Sequence, residues 1–309
     1  MKAAYIEAYG GSDQLKIGEL PNPEIGPNDV LIEVHAASVN PVDWKIREGH
    51  FKGMLNFPMP LVLGWDVAGT VAALGSEVSS FKIGDAVFSR SDIARQGTYA
   101  EMVAVDAQLI AAKPESLSFE QAASLPLVAH TAWQVMFETM DLQKGNKIFI
   151  GAGSGGVGTL AIQLAHARGA HVVTSTSTAN LEWVRKLGAD EVIDYTTHNP
   201  NDLVRDMDYV FDSMGSADQT EMYAMLKKGG QLVSISKQPD EAAAKAAGVR
   251  VAYVFMQPTG ARLEKIAESV RLGELKPVID QVFALEHIRD AHDYAERGHA
   301  KGKVVIRVK

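Results

Sequence analysis

The plainest chemistry in this chain belongs to the glycines of Gly153-Ser154-Gly155-Gly156-Val157-Gly158. They follow an apolar stretch at residues 147–150 and precede a helix-like run at 159–165. A strand, a glycine turn and a helix in that order let backbone N–H groups approach a pyrophosphate at the positive end of the helix. The segment is therefore predicted to bind a dinucleotide through Gly153, Ser154, Gly155, Gly156, Val157 and Gly158. The next strand, residues 171–174, runs into Ser175-Thr176-Ser177-Thr178-Ala179-Asn180, with no Asp or Glu to chelate the ribose hydroxyls of NAD. Hydroxyls donate to a 2′-phosphate that a carboxylate would repel, so NADP(H) is expected, held by Ser175, Thr176 and Ser177. The same run also suits a solvated turn, and the nearest basic residue is Arg185.

Cysteine is absent from all 309 residues, which excludes a disulfide framework, a thiol nucleophile and any thiolate zinc site. The nine histidines show no spacing suited to a metal site or a triad; His130 alone sits beside another candidate residue. A formal net charge of −8, spread rather than blocked, offers no basic stripe for a phosphate backbone, so nucleic acid is not an expected partner. The opening residues alternate polar and apolar and carry Glu7, unlike a secretory signal, and no apolar run reaches membrane-spanning length. A cytoplasmic protein without a membrane partner is expected.

A chain this long is expected to form two domains. The first ~120 residues carry short strand-like runs at 3–8, 30–39, 67–74, 85–88 and 99–105, punctuated by Gly and Pro, as in a compact, partly barrelled β domain. Helical spacing follows at 120–138. Strands are then predicted at 147–151, 171–175, 191–194, 209–212, 231–236 and 249–255. Helices are predicted between them at 157–168, 180–187, 201–205, 216–226 and 240–247. The alternation gives an α/β fold with a doubly wound parallel sheet. A helix at 261–272 and strands at 278–283 and 303–308 are expected to rejoin the first domain.

Ordered matches along nearly the whole chain resemble the zinc-independent quinone oxidoreductase branch of the medium-chain dehydrogenase/reductase superfamily. They comprise the stretch from Ala37 through Asn40-Pro41-Val42-Asp43 to Gly49, then Leu63-Gly64-Trp65-Asp66-Val67-Ala68-Gly69 and Phe81-Lys82-Ile83-Gly84-Asp85. Further on come Leu125-Pro126-Leu127-Val128-Ala129-His130-Thr131-Ala132-Trp133, the glycine loop, Lys186-Leu187-Gly188-Ala189-Asp190 and Gly302-Lys303-Val304-Val305. The resemblance implies a GroES-like catalytic and substrate domain, residues 1–122 and 257–309, and a Rossmann dinucleotide-binding domain, residues 123–256, with the cofactor between them. It also implies a homodimer formed by pairing of the last cofactor-domain strand. Where zinc-dependent members place a cysteine and a His-Glu pair, this chain resembles them with Asn40 and Trp65-Asp66, poor zinc ligands, so no zinc is expected.

Without a metal to lower an alcohol's pKa, hydride transfer from NADPH to a quinone or an α,β-unsaturated carbonyl is the expected reaction. Asn40 and Asp43 are the candidate catalytic residues. Asn40 is placed to bond the acceptor oxygen or the ribose; Asp43 is placed to orient a water, to pair with Lys45 or Arg47, or simply to cap a helix. The resemblance puts Thr131 at the nicotinamide end and Tyr195 at the adenosine end of the cofactor. Ser213 and Ser234 end the fourth and fifth strands, where such a sheet presents its ligands, and Val254 and Phe255 either line the nicotinamide pocket or pack in the core. Phe51 stands where some relatives carry a tyrosine, which favours solvent as the proton source. Phe51, Met54, Leu55, Phe57 and Met59 make an apolar, adaptable substrate wall. Two other readings stay open: a zinc-free NADP-dependent alcohol or carbonyl dehydrogenase, and a non-enzymatic NADPH-binding sensor.

Overall fold

The computed structural model describes residues 1–215 and 218–309. Along the chain lie β1 (Lys2–Ile6), β2 (Lys16–Glu19), β3 (Asp29–Val39), α1 (Pro41–Arg47), β4 (Leu61–Val62), β5 (Asp66–Leu74), β6 (Ala86–Arg90), β7 (Met102–Asp106) and β8 (Ile110–Ala112). The middle holds α2 (Phe119–Ala123), α3 (Pro126–Trp133), β9 (Lys147–Ile150), α4 (Gly156–Ala167), β10 (His171–Thr176), α5 (Leu181–Arg185), β11 (Glu191–Asp194), α6 (Pro200–Leu203), β12 (Met207–Asp212), β13 (Leu226–Ser234), α7 (Glu241–Ala247) and β14 (Arg250–Tyr253). The chain closes with α8 (Gly260–Arg271), β15 (Ile279–Ala284), α9 (Ile288–Glu296) and β16 (Lys303–Arg307). Contacts divide it into two units: residues 1–127, 258–272 and 277–309 form the first, and residues 128–257 and 273–276 the second.

In the first unit a sheet runs β15-β16-β3-β5-β6-β8, with β7 also paired to β3, beside a smaller sheet β2-β1-β4. The long strand β3 is its spine. Val30, Ile32 and Val34 point to one face and pack with Val67, Val71, Val87, Val103 and Val105, as the period of two requires. At its far end Ala37 and Val39 turn to a second core built on Trp65, Tyr99, Ile46 and Leu61. That core also takes Ile288 and Ala291 of α9, a helix the sequence reading left unassigned.

In the second unit the parallel sheet has the order β11-β10-β9-β12-β13-β14. Its central strand β9 is buried at Ile148, Phe149 and Ile150, the continuous apolar run that two covered faces demand. The chain leaves β9 toward β10 on one side and returns at β12 on the other, so the carboxyl ends of β9 and β12 form the topological switch point.

The single helix expected at 120–138 is divided. α2 ends at Ala123 with Ser124 as its C-cap, α3 restarts at Pro126, whose missing N–H suits a first turn, and residues 134–139 wind as a π-helix. The helix expected at 216–226 is also corrected: its first two residues lie outside the described ones, and Gln219–Met225 is a 3₁₀ segment capped by Asp218.

Candidate functional site

The glycine loop joins β9 to α4 in the second unit, and its glycines have different duties. A Cβ on Gly158 would lie 2.2 Å from the Ala152 carbonyl oxygen, and one on Gly153 would lie 2.4 Å from the Thr174 hydroxyl. These two are required by packing of turn, helix and strand. Gly155 differs: a Cβ there would meet only the Ala152 oxygen, at an ordinary 3.4 Å. The protein itself leaves that side open, as a loop cradling a phosphate must. Ala152 takes a left-handed backbone, φ +52°, which is strained for a residue with a Cβ. α4 begins directly after Gly155 with no acidic residue in its first turn, and it is anchored by buried Leu160, Ile162 and Leu164. No carboxylate of its own first turn competes at its positive end.

Around the loop, Gly153 N–H donates to the Ser175 carbonyl at 2.9 Å, holding the turn against the end of β10. Ser175 and Thr176 are buried and Ser177 half-buried; the Thr176 hydroxyl is buried without a hydrogen-bond partner. Tyr195, half exposed, is held by its backbone N–H to the Thr176 carbonyl at 3.1 Å. At the switch point Ser213 Oγ donates to the Gly151 carbonyl at 3.1 Å. Ser234 is deeper: its hydroxyl donates to Asp212 at 3.1 Å and accepts from Gln219 at 2.9 Å, so it braces the ends of β12 and β13. Val254 is buried and tied by its N–H to the Ser234 carbonyl, whereas Phe255 is 47% exposed. Thr131 is buried on α3. The open face of Gly155, the unpartnered hydroxyl of Thr176 and a helix start with no acid in its first turn fit a phosphate-bearing dinucleotide.

One cluster in the first unit brings together four buried charged side chains, Asp43, Asp66, Arg90 and Lys303. Asp66 opens β5, opposite Ser38 of β3 and Arg90 of β6 in the sheet register. Its Oδ2 accepts from Asn40 Nδ2 at 2.7 Å and Ser38 Oγ at 2.9 Å, and its Oδ1 from the Leu127 N–H at 2.9 Å. Lys303, first residue of β16, points its ammonium at the end of β3, donating to the Val39 carbonyl at 2.6 Å and to Asn40 Oδ1 at 2.5 Å, with Asp66 Oδ2 at 3.8 Å. Burial pulls Lys303 below the ordinary lysine value while Asp66 and Asp43 oppose that pull. Arg90, likewise lowered by burial, donates to the Ser91 carbonyl and lies 5.9 Å from the Trp65 ring centre.

Asp43 is wholly buried in α1. Its Oδ2 accepts from the Asn40 N–H at 2.8 Å, which is helix capping, and from the Tyr99 hydroxyl at 2.7 Å. Burial outweighs both bonds and raises its pKa to about 6. The same burial, with Asp43 alongside, pushes Tyr99 well above the usual phenol value. Asp43 does not pair with Arg47, which instead donates to Glu296 at 2.7 Å and Glu48 at 3.1 Å. Of the substrate-wall residues, Phe51 and Phe57 pack against the Trp65 core, Leu55 is half-buried, and Met54 and Met59 are exposed. Sequence reasoning missed Lys303, Arg90 and Tyr99.

Asn40, Trp65 and Asp66 do not fit a zinc ion. The indole N–H of Trp65 is spent on the Arg95 carbonyl at 3.1 Å, both Asp66 oxygens are occupied, and an ammonium already faces the carboxylate. Among the described residues no three His, Cys, Asp or Glu side chains cluster as a metal site.

Residues 26–115 match the family model described as alcohol dehydrogenase GroES-like domain, and residues 187–306 that described as zinc-binding dehydrogenase. The chain is 41% identical to the NADPH-dependent alkenal/one oxidoreductase, chloroplastic, of Arabidopsis thaliana, over 99% of this chain and 79% of that relative. The quinone oxidoreductase structure from Coxiella burnetii superposes with a TM-score of 0.92 at 34% identity, covering 100% of this chain and 99% of the other. A mycobacterial protein solved in complex with NADPH gives a TM-score of 0.90 at 26% identity, covering 100% of both chains.

Proposed function

The chain belongs to the medium-chain dehydrogenase/reductase superfamily, among its quinone and alkenal oxidoreductases, and from that premise we propose that it is a metal-free reductase using NADPH to reduce a quinone or an α,β-unsaturated carbonyl. The observation that carries the proposal is the second unit's glycine loop, open at Gly155 and packed shut at Gly153 and Gly158. The hydroxyl-lined end of β10 has no carboxylate of its own and keeps the buried Thr176 hydroxyl available, which favours a 2′-phosphate over a bare ribose, while Asp194 of the neighbouring β11 takes the Thr178 hydroxyl at 2.6 Å. Thr131, Ser213 and Val254 serve the nicotinamide end, Tyr195 the adenosine end, and Ser234 supports them by bracing Asp212.

When bound, NADPH supplies the hydride. The electron pair forms a C–H bond at the electron-poor carbon of the acceptor, and the displaced π electrons settle on the acceptor oxygen as an enolate or a hydroquinone anion. Asn40 is the group we assign to that oxygen, through the amide hydrogen that Asp66 does not take. Asp43 acts on the reaction only by capping α1 and so fixing Asn40 at its N-terminus. The closing proton comes from solvent. The missing fit for zinc removes the usual electrophile for alcohol oxidation, which favours this reading over a dehydrogenase of simple alcohols. A homodimer is supported by the edge position of β14 and the exposed Tyr253 and Phe255 beside it. No helix among the described residues is long and apolar enough to cross a membrane.

The test is to follow NADPH and NADH oxidation against quinones, enones, enals and simple aldehydes. Oxidation of NADPH by activated acceptors, at least about tenfold faster than by aldehydes, is expected. NADPH binding without turnover on any acceptor would make the chain a sensor instead.

A further inference from the structure

Asn40 is held by partners that leave its amide no choice of orientation. Lys303 has only hydrogens to offer, and Asp66 Oδ2 accepts from both Asn40 Nδ2 and Ser38 Oγ. The amide oxygen must therefore face Lys303 and the amide nitrogen must face Asp66, as observed at 2.5 and 2.7 Å. The ammonium itself cannot wander: Val39 O takes a second hydrogen at 2.6 Å and Asp66 stands 3.8 Å away. Gly302, φ +78°, delivers Lys303 to this place, since a Cβ there would lie 2.4 Å from the Val278 carbonyl oxygen.

Stability does not explain such a lysine. A buried ion pair commonly contributes no more than an apolar side chain of the same size, and Lys303 opens a strand whose next residues, Val304, Val305 and Ile306, are buried aliphatics. The charge has an electronic consequence. An amide whose oxygen is bonded to an ammonium is polarised, and its N–H becomes a stronger donor.

We propose that Lys303 is a positioning residue for hydride transfer, which fixes the orientation of the fully buried Asn40 amide and strengthens its second N–H as a donor to the acceptor oxygen. The inference rests on the reading of Asn40 given above. It involves no proton or electron transfer by Lys303, whose ammonium keeps its three hydrogens throughout.

The experiment is a double-mutant cycle in the full chain, using NADPH with an acceptor that the wild type reduces. Lys303→Met is expected to lower kcat about 10- to 100-fold while NADPH affinity, read by cofactor fluorescence, stays within about twofold. In an Asn40→Ala background the same substitution is expected to change kcat by less than about twofold, because its effect passes through Asn40. An equal loss in both backgrounds, or a Lys303→Met enzyme as fast as wild type, overturns the inference. A second measurement needs neither turnover nor a lysine variant. Wild-type protein labelled with ¹⁵N-asparagine is expected to show the Asn40 side-chain pair, identified by its disappearance in Asn40→Asp, as two well-separated, slowly exchanging protons. A rapidly exchanging, averaged pair overturns the clamp. If no activated acceptor is reduced at all, the functional reading fails while the spectrum still decides the clamp.

Discussion

The two units build their candidate sites in opposite ways. The second does it by omission: Gly155 has no side chain, α4 has no acid in its first turn, and backbone groups are left open to a ligand. The first does it by accumulation, gathering Asp43, Asp66, Arg90 and Lys303 where each is buried, two negative and two positive. An omission is robust, because little has to be neutralised. An accumulated set of buried charges is stable only while every member is present, since removing one strands its partner in a medium that penalises a lone charge.

The largest effect should come from breaking that balance. Asp66→Ala would leave the Lys303 ammonium without its carboxylate and remove the acceptor shared by the Ser38 and Asn40 side chains. A loss of about 3–5 kcal/mol in urea unfolding is expected; a loss under 1 kcal/mol would show that the cluster is not coupled.

A pair of glycine variants sharpens the contrast from the other side. Gly158→Ala puts a methyl 2.2 Å from a carbonyl oxygen, so stability and NADPH affinity should fall together, the former by about 1–3 kcal/mol. Gly155→Ala meets nothing closer than 3.4 Å within the chain. Its unfolding midpoint should hold while NADPH affinity drops about tenfold, roughly 1.4 kcal/mol. Equal thermal losses in the two variants would remove the distinction between packing glycine and ligand-facing glycine.

The third effect is read against pH. Asp43 keeps its proton up to about 6 in the fold against 3.8 as the ordinary value. Between those values the native state holds more protons than the unfolded one, so this group's contribution falls as pH rises through the window, by about 3 kcal/mol in all. His292, lowered to about 3 by burial and by the adjacent Arg47, has the opposite sign: the unfolded state takes up its proton first as pH falls, so its contribution grows with rising pH between about 3 and 6.5. Asp43→Asn should therefore gain stability relative to wild type from pH 4 to pH 7, measured by chemical denaturation. Parallel profiles would contradict the assignment.

The same contrast governs what could be read in advance. Gly153 to Gly158 are contiguous, and their meaning lies in local spacing, so the β9 turn and α4 were legible together with the strands alternating after them. The charge cluster was legible only in part. Asn40 and Asp43 stood in one motif, but Arg90 and Lys303 enter through sheet pairing, Asp66 opposite Arg90 and Val304 opposite Val39. A lysine that opens a strand gives no local sign that it will be buried. α9 was missed although Ile288, Ala291 and His292 carry helical spacing, because its polar residues outnumber them.

The carbon that receives the hydride separates an enone reductase from a carbonyl dehydrogenase. With NADPH deuterated at the transferred position of C4, a conjugated enone and a chelator present throughout, the product should carry deuterium at its β-carbon and keep its carbonyl. Deuterium at the carbonyl carbon, with the double bond intact, would contradict it and make the chain a carbonyl dehydrogenase.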